Sequence, residues 1–124
     1  MADRPDVPAA LLRRINTILK AFPQCMQGPA WAGHRWRVGS ATVAHVFGGE
    51  DQLFRLTFRA EAGELLAFEN LGHPYFRTEW GANTVGVVLD DSTDWTEIRE
   101  YLTDSYCLQA PAHLVEQVKR PRAR

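Results

Sequence analysis

The stretch from His34 to Arg59 constrains the fold most, because polar and apolar residues alternate along it with a period of two. This is the period of a strand with one face buried and one face in water. Two turn sequences, Gly39-Ser40 and Gly48-Gly49-Glu50-Asp51, divide the stretch into three segments. Connections this short join antiparallel neighbours, so the stretch predicts a three-stranded meander.

Helical periodicity and further strands flank this meander. Residues 8–21 predict an amphipathic helix, followed by a loop from Pro23 to about Gly33 that holds a half-buried Trp31. Later segments predict a short helix over 62–71, strands over 75–80 and 84–89, a helix capped by Asp94 and a last short helix over 112–118. Because short turns connect the strands, we expect an α+β fold with an antiparallel sheet of about five strands and helices on one face.

The length of 124 residues suits one hydrophobic core, and we expect a single domain over 1–118 and a basic tail over 119–124. No run approaches the roughly 18 apolar residues of a membrane span, and no apolar run follows the first residues, so we expect a cytoplasmic protein without a membrane partner. Cys25 and Cys107 match no ligand spacing and are expected as reduced thiols.

Residue patterns that carry chemistry are missing from the sequence. The four histidines form no ligand pair, so no metal or other cofactor is expected. No serine lies in the G-x-S-x-G elbow that exposes a nucleophile, and Gly48-Gly49 lacks the downstream Lys of a phosphate loop. We therefore expect a protein that is not an enzyme and has no catalytic residues.

The formal net charge of −1 hides an uneven distribution. Residues 1–59 contain eight basic and four acidic side chains, residues 60–118 contain two and eleven, and the tail contains four basic ones. The three regions thus carry +4, −9 and +4. This balance excludes attraction of polyanions by bulk charge but allows a local basic face.

Four arginines of the meander form the first candidate site, namely Arg35, Arg37, Arg55 and Arg59. Their spacing would let them share the wet face of the sheet, and the forked donors of arginine suit phosphate and carboxylate. We predict that they bind nucleic acid or another anion, with help from the tail residues Lys119, Arg120, Arg122 and Arg124. The alternative is that they are solvated or pair with acidic residues such as Glu61, Glu64 and Glu79.

The aromatic and polar segment around residues 73–83 is the second candidate site. On a strand, Tyr75, Arg77 and Glu79 share a face, which places a cation between an aromatic ring and a carboxylate. This arrangement is either an intrastrand salt bridge beside core aromatics or the rim of a pocket or interface formed by His73, Tyr75, Arg77, Trp80 and Asn83.

A set of C-terminal motifs carries a family resemblance: Trp80-Gly81, Val85 to Asp90, Asp94 to Arg99, Asp104-Ser105-Tyr106, Ala110-Pro111 and Leu114-Val115. With them the chain resembles the MmcQ/YjbR-like family, and the earlier helix and strands fit the same order. The resemblance implies a curved antiparallel sheet against helices, as in YjbR and the secretion chaperones. It also implies DNA binding, since the family is described as predicted DNA-binding double-wing proteins. Relatives often carry cations where this chain has Cys107 and Ala112.

Together, these observations predict weak DNA or anion binding as the leading function. A protein-interaction module, which the likeness to secretion chaperones allows, is the alternative. It would use the sheet face or the segment from Tyr75 to Trp80. A third hypothesis is a small-ligand binder with a pocket around His73, Arg77 and Asn83.

Overall fold

A computed structural model of the chain describes residues 4–78 and 81–118. Within these ranges the helices and strands, in chain order, are α1 (Ala9–Leu19), β1 (Cys25–Pro29), β2 (His34–Val38), β3 (Ala41–Gly48), β4 (Phe54–Arg59), α2 (Leu65–Leu71), β5 (Tyr75–Arg77), β6 (Thr84–Leu89), α3 (Trp95–Gln109) and α4 (Ala112–Val115). A short 3-10 turn, Ala62–Glu64, leads into α2. The α+β fold predicted from the sequence is confirmed.

The six strands form one antiparallel sheet in the order β1-β2-β3-β4-β6-β5. Strands β1 to β4 follow one another as neighbours, whereas β5 takes the far edge and β6 fills the place between β5 and β4. No helix in the described ranges has the length and apolar character that crossing a bilayer requires.

The prediction of a loop from Pro23 to Gly33 is wrong, because Cys25–Pro29 forms the edge strand β1. It pairs with β2 from Cys25 opposite Val38 to Pro29 opposite His34, so the sheet has six strands instead of about five. Its sequence contains Gly and Pro and has no alternation, and both residues indicate a turn locally. The strand forms because β2 offers hydrogen-bonding backbone groups along its free side, and the edge position tolerates Pro29.

The inner face of the sheet packs against the helices and forms the hydrophobic core. Trp36 of β2 is fully buried, and its indole N–H donates a hydrogen bond to the Asn16 side chain of α1 at 3.0 Å. The ring of Phe58 on β4 lies 5.8 Å from that of Phe68 on α2 and 5.4 Å from that of Tyr101 on α3. Burial of one such aromatic side chain contributes about 1.5–3 kcal/mol. Helices α1, α2 and α3 therefore cover one face of the sheet.

Ser105 of α3 bridges two strands at the point where their own pairing ends. The β3–β4 register stops at Ala44 opposite Phe58, next to a bulge at Val43. The Ser105 hydroxyl accepts a hydrogen bond from the backbone N–H of Arg59 at 2.8 Å and donates one to the carbonyl of Val43 at 2.6 Å. Because Ser105 is fully buried, water cannot replace these bonds.

Two neighbouring side chains of α3 bind other parts of the backbone. The amide of Gln109 donates to the carbonyl of Thr42 at 2.9 Å. The hydroxyl of Tyr106 donates to the carbonyl of Pro23 at 2.6 Å, while its ring stacks on Phe22 with centroids 4.9 Å apart. The end of α3 thus fixes β3 and the connection from α1 to β1, so this motif is structural.

Substitution Ser105→Ala should lower the free energy of unfolding by about 2–4 kcal/mol, because two buried backbone groups lose their shared partner. Urea unfolding followed by circular dichroism measures the change. Ser92→Ala is the control: Ser92 is exposed, and its substitution should change the free energy by less than about 0.5 kcal/mol. Equal effects of the two substitutions would contradict the bridging role of Ser105.

Candidate anion-binding face

The face of the sheet opposite the helices carries the predicted arginines. One row of directly opposed residues crosses all six strands: Gly28, Arg35, His45, Thr57, Gly86 and Phe76. Opposed residues in an antiparallel pair point to the same side, and side chains alternate along each strand. This row, with Arg37, Arg55 and Arg59 two residues away on β2 and β4, defines the outer face. All four predicted arginines therefore share one face.

Arg55 is already paired. Its guanidinium forms a two-pronged ion pair with Asp51 in the β3–β4 turn, with N–O distances of 2.8 and 2.5 Å. The hydrogen bonds from Arg55 hold the pKa of the Asp51 carboxyl well below its usual range. The carboxylates expected as partners behave differently: neither Glu61 nor Glu64 forms an ion pair with another described residue, and Glu79 lies outside the described residues.

The other three arginines form no ion pair within residues 4–78 and 81–118. One nitrogen of the Arg59 guanidinium donates to the carbonyl of Ala82 at 2.6 Å, and among the described residues the guanidinium, which has five N–H donors, has no other hydrogen-bond acceptor. The Nε of Arg35 is buried and has no hydrogen-bond partner in the described part of the chain. Arg37 is exposed. The outer face therefore carries positive charge that the described carboxylates do not neutralise.

A small pocket of about 140 Å³ lies beside Arg59, where β3 and β4 separate. Its polar lining consists of His45, Arg59 and the three threonines Thr42, Thr57 and Thr84. The hydroxyls of Thr57 and Thr84 reach backbone carbonyls at 3.4 Å, a long distance for a hydrogen bond between oxygens. A guanidinium with several hydroxyl donors is a combination that binds a small oxyanion such as a phosphate group.

His45 lies opposite both Arg35 and Thr57 in the row. Its Nε2 is 2.5 Å from the carbonyl oxygen of Ala32, so this nitrogen carries the proton and donates. Burial lowers the pKa of His45 below its ordinary value of 6.5; the hydrogen bond to Ala32 opposes this shift, and the charge of Arg35 adds to it. His34, on the same strand as Arg35, lies opposite Val46 and does not face His45.

The turn from β1 to β2 brings Trp31 to the outer face. The prediction of a half-buried Trp31 is wrong, since 78% of the residue is exposed. Gly33 of this loop sits so close to β3 that a Cβ there would lie 1.9 Å from the carbonyl oxygen of Val46, so this position requires glycine. The guanidinium carbon of Arg4 lies 5.4 Å from the centroid of the Trp31 ring and 5.7 Å from that of Phe47.

The second candidate site is only partly brought together. His73 and Tyr75 line a groove of about 420 Å³ with Asp94 and Glu97 among its other residues. Arg77 instead pairs with Glu69 of α2 at 3.2 Å. Asn83 lies in the β5–β6 turn, where its carbonyl accepts the backbone N–H of Ala60. Trp80, like Glu79, lies outside the described residues.

One carboxylate oxygen of Glu97 binds two tyrosine hydroxyls at the wall of this groove. The hydroxyls of Tyr75 and Tyr101 both donate to Oε1 of Glu97, each at 2.6 Å. Burial, and then the Glu97 carboxylate, raises the pKa of both tyrosines, so neither ionises near neutral pH. Tyr75 is therefore a structural residue of the aromatic cluster and is fixed in place.

A metal site and a reactive thiol would each place requirements on the side chains of the described part of the chain. No group of three His, Cys, Asp or Glu side chains there is arranged to hold a metal ion. Cys25 and Cys107 are free, and burial raises the pKa of the Cys25 thiol to about 11, which keeps it protonated.

Sequence reasoning missed several residues of the outer face. Thr57 lies between Arg55 and Arg59 on one strand, so alternation alone would have found it. Thr42, Thr84 and His45 join the pocket through the strand register, which has no local signal.

Comparison with known proteins agrees with this architecture. The crystal structure of a Deinococcus radiodurans protein, with a domain called DUF419, is similar with a TM-score of 0.68 and 15% sequence identity, over 89% of this chain and 88% of that chain. At this identity the likeness shows the fold alone. No curated protein matches the chain significantly. A family model described as YjbR matches residues 20–108, which is most of the chain, and the chain therefore belongs to the YjbR family.

Proposed function

We propose that the outer face binds nucleic acid through its phosphate groups. The observation that carries the proposal is the set of three arginines, Arg35, Arg37 and Arg59, which share a helix-free sheet face and have no carboxylate partner in the described chain. Attraction to nucleic acid depends on the cations presented to the phosphates. The DNA binding that the family resemblance implies concerns the same class of ligand.

The pocket between β3 and β4 would hold one phosphate of the ligand at a defined position. Arg59 would supply charge, and the hydroxyls of Thr57 and Thr84 would supply further donors. Arg35 lies about 10 Å from Thr57, two strand spacings across the sheet, so it would contact a different phosphate of the same chain. These contacts position the ligand without reading its sequence.

The protein-interaction alternative has less support at the segment from Tyr75 to Trp80. Tyr75 packs against Phe68 and Tyr101, with ring centroids 5.4 and 5.9 Å away, and its hydroxyl is bound to Glu97. Its hydroxyl and much of its ring are therefore already engaged within the protein, which leaves less of the side chain for a partner.

The double substitution Arg35→Gln with Arg37→Gln tests the proposal. Affinity for a labelled oligonucleotide at low salt should fall by about tenfold or more, because two charge-assisted contacts are lost. The slope of log affinity against log salt should decrease by about 0.7 per arginine for a single strand. Fluorescence anisotropy measures both quantities.

The matched control removes two exposed cations, one from helix α1 and one from its C-cap, by Arg13→Gln with Lys20→Gln. This variant has the same net charge as the outer-face variant, so a general charge effect would weaken binding equally in both. Equal losses, or no binding by the wild-type protein at low salt, would contradict the proposal.

Substitution Asp51→Asn should strengthen binding, because it releases the Arg55 guanidinium from its ion pair. We expect a gain of about threefold at low salt that disappears at high salt. Asp91→Asn changes the net charge by the same amount at an exposed position after β6 and serves as the control. The prediction fails if the two variants bind alike.

The pKa of His45 should rise when the oligonucleotide binds, because a nearby phosphate favours the imidazolium. Since the free protein has its His45 pKa below 6.5, binding should become tighter as the pH falls through that region. NMR titration of the imidazole signals with and without oligonucleotide measures the shift. An unchanged His45 titration at saturation would count against a phosphate at this position.

A further inference from the structure

We infer that the outer face takes single-stranded nucleic acid, with Trp31 as the residue on which one base stacks. This inference rests on the proposed function and specifies the form of its ligand. It starts from the exposure of Trp31, which is 78%. Tryptophan is on average a highly buried residue, so a ring this exposed at the margin of a cationic face is an unusual arrangement that suits a ligand.

The ring of Trp31 is contacted by the side chain of Arg4, and its loop is closed by a backbone hydrogen bond. The Arg4 guanidinium lies between the rings of Trp31 and Phe47, and it donates a hydrogen bond to the carbonyl of Gly48 at 3.0 Å. The loop itself is closed by a hydrogen bond from the backbone N–H of Ala30 to the carbonyl of Gly33. A ring that is already ordered loses little entropy when a base stacks on it.

The loop also connects Trp31 to the cationic part of the face. The carbonyl of Ala32, the next residue, accepts the hydrogen bond from His45, and His45 lies opposite Arg35. A groove of about 350 Å³ runs beside the ring and is lined by Arg4, Pro5 and His34 among other residues. A nucleotide whose phosphate contacts Arg35 would therefore have its neighbouring base within reach of Trp31.

Only an unpaired base has a ring face available for this contact. In a duplex each base is stacked between its neighbours, whereas a single strand can splay a base onto an aromatic side chain. Two residues of the central row on the outer face are glycines without a side chain, Gly28 and Gly86. The ring of Phe76 lies over Gly86. The aromatic and cationic groups of the outer face are thus presented side by side, as single-strand binding surfaces require.

The test compares a short oligothymidylate with a duplex of the same length at one salt concentration. The wild-type protein should bind the single strand more tightly, although the duplex carries more charge. Trp31→Ala should weaken single-strand binding by about tenfold, leave duplex binding unchanged and keep the salt slope, because stacking involves no ion release. Trp31→Phe should retain most of the affinity, since it keeps a ring. Quenching of tryptophan emission by the single strand should be lost in both variants.

Trp95→Ala is the matched control, because Trp95 is also held by an arginine, Arg14 at 4.8 Å, but belongs to helix α3 on the opposite side of the sheet. It should leave single-strand binding unchanged in a protein whose circular dichroism is that of the wild type. If Trp31→Ala binds the single strand as the wild type does while the Arg35 and Arg37 variant is weakened, the inference fails and the proposed function stands. If neither form of DNA binds at low salt, both fail. Equal affinity for the two forms would also overturn the inference.

Discussion

The hydrogen bonds of Ser105 connect the helical layer to the sheet at the place where the sheet is weakest. Strands β3 and β4 stop pairing after Ala44 and Phe58, and the buried hydroxyl joins Val43 to Arg59 across the opening. Without such a bridge, two backbone groups would be buried and unsatisfied, which costs more than one hydrogen bond contributes. The same opening forms the pocket on the outer face, next to the Arg59 side chain. The core contact and the candidate site are thus two sides of one irregularity in the sheet.

The described helices α1, α2 and α3 pack on one side of the sheet, and this asymmetry decides where charge can act. The net charge of −1 gives no attraction to polyanions. On the outer face, however, Arg35, Arg37 and Arg59 lie apart from the described carboxylates, while Arg55 is neutralised by Asp51. A local field of this kind acts within about 10 Å at moderate salt, so it favours close contacts with phosphate over long-range steering.

Some aromatic residues near the outer face are buried and others are exposed, and their contacts differ accordingly. Tyr75 turns toward the core, where its ring packs on Phe68 and its hydroxyl shares the Glu97 carboxylate with Tyr101. Trp31 lies in the β1–β2 loop and is exposed, while Gly33 of the same loop packs against the backbone of β3. Within the described residues, the face therefore combines cations with the exposed indole of Trp31, and the residues behind it are held by the core.

The sequence by itself determined the alternating strands β2 to β4, the capped helix α3 and the shared side of the four arginines, because these follow from local periodicity and capping chemistry. Only the tertiary structure decided that Cys25–Pro29 is a strand, since its Gly and Pro favour a turn and its pairing with β2 overrides them. It likewise decided that Asp51 neutralises Arg55, that His45 faces Arg35 and that Trp31 is exposed. The reason is the same in each case. These contacts depend on strand register and loop packing, and the local sequence around each residue does not indicate which partner it will contact.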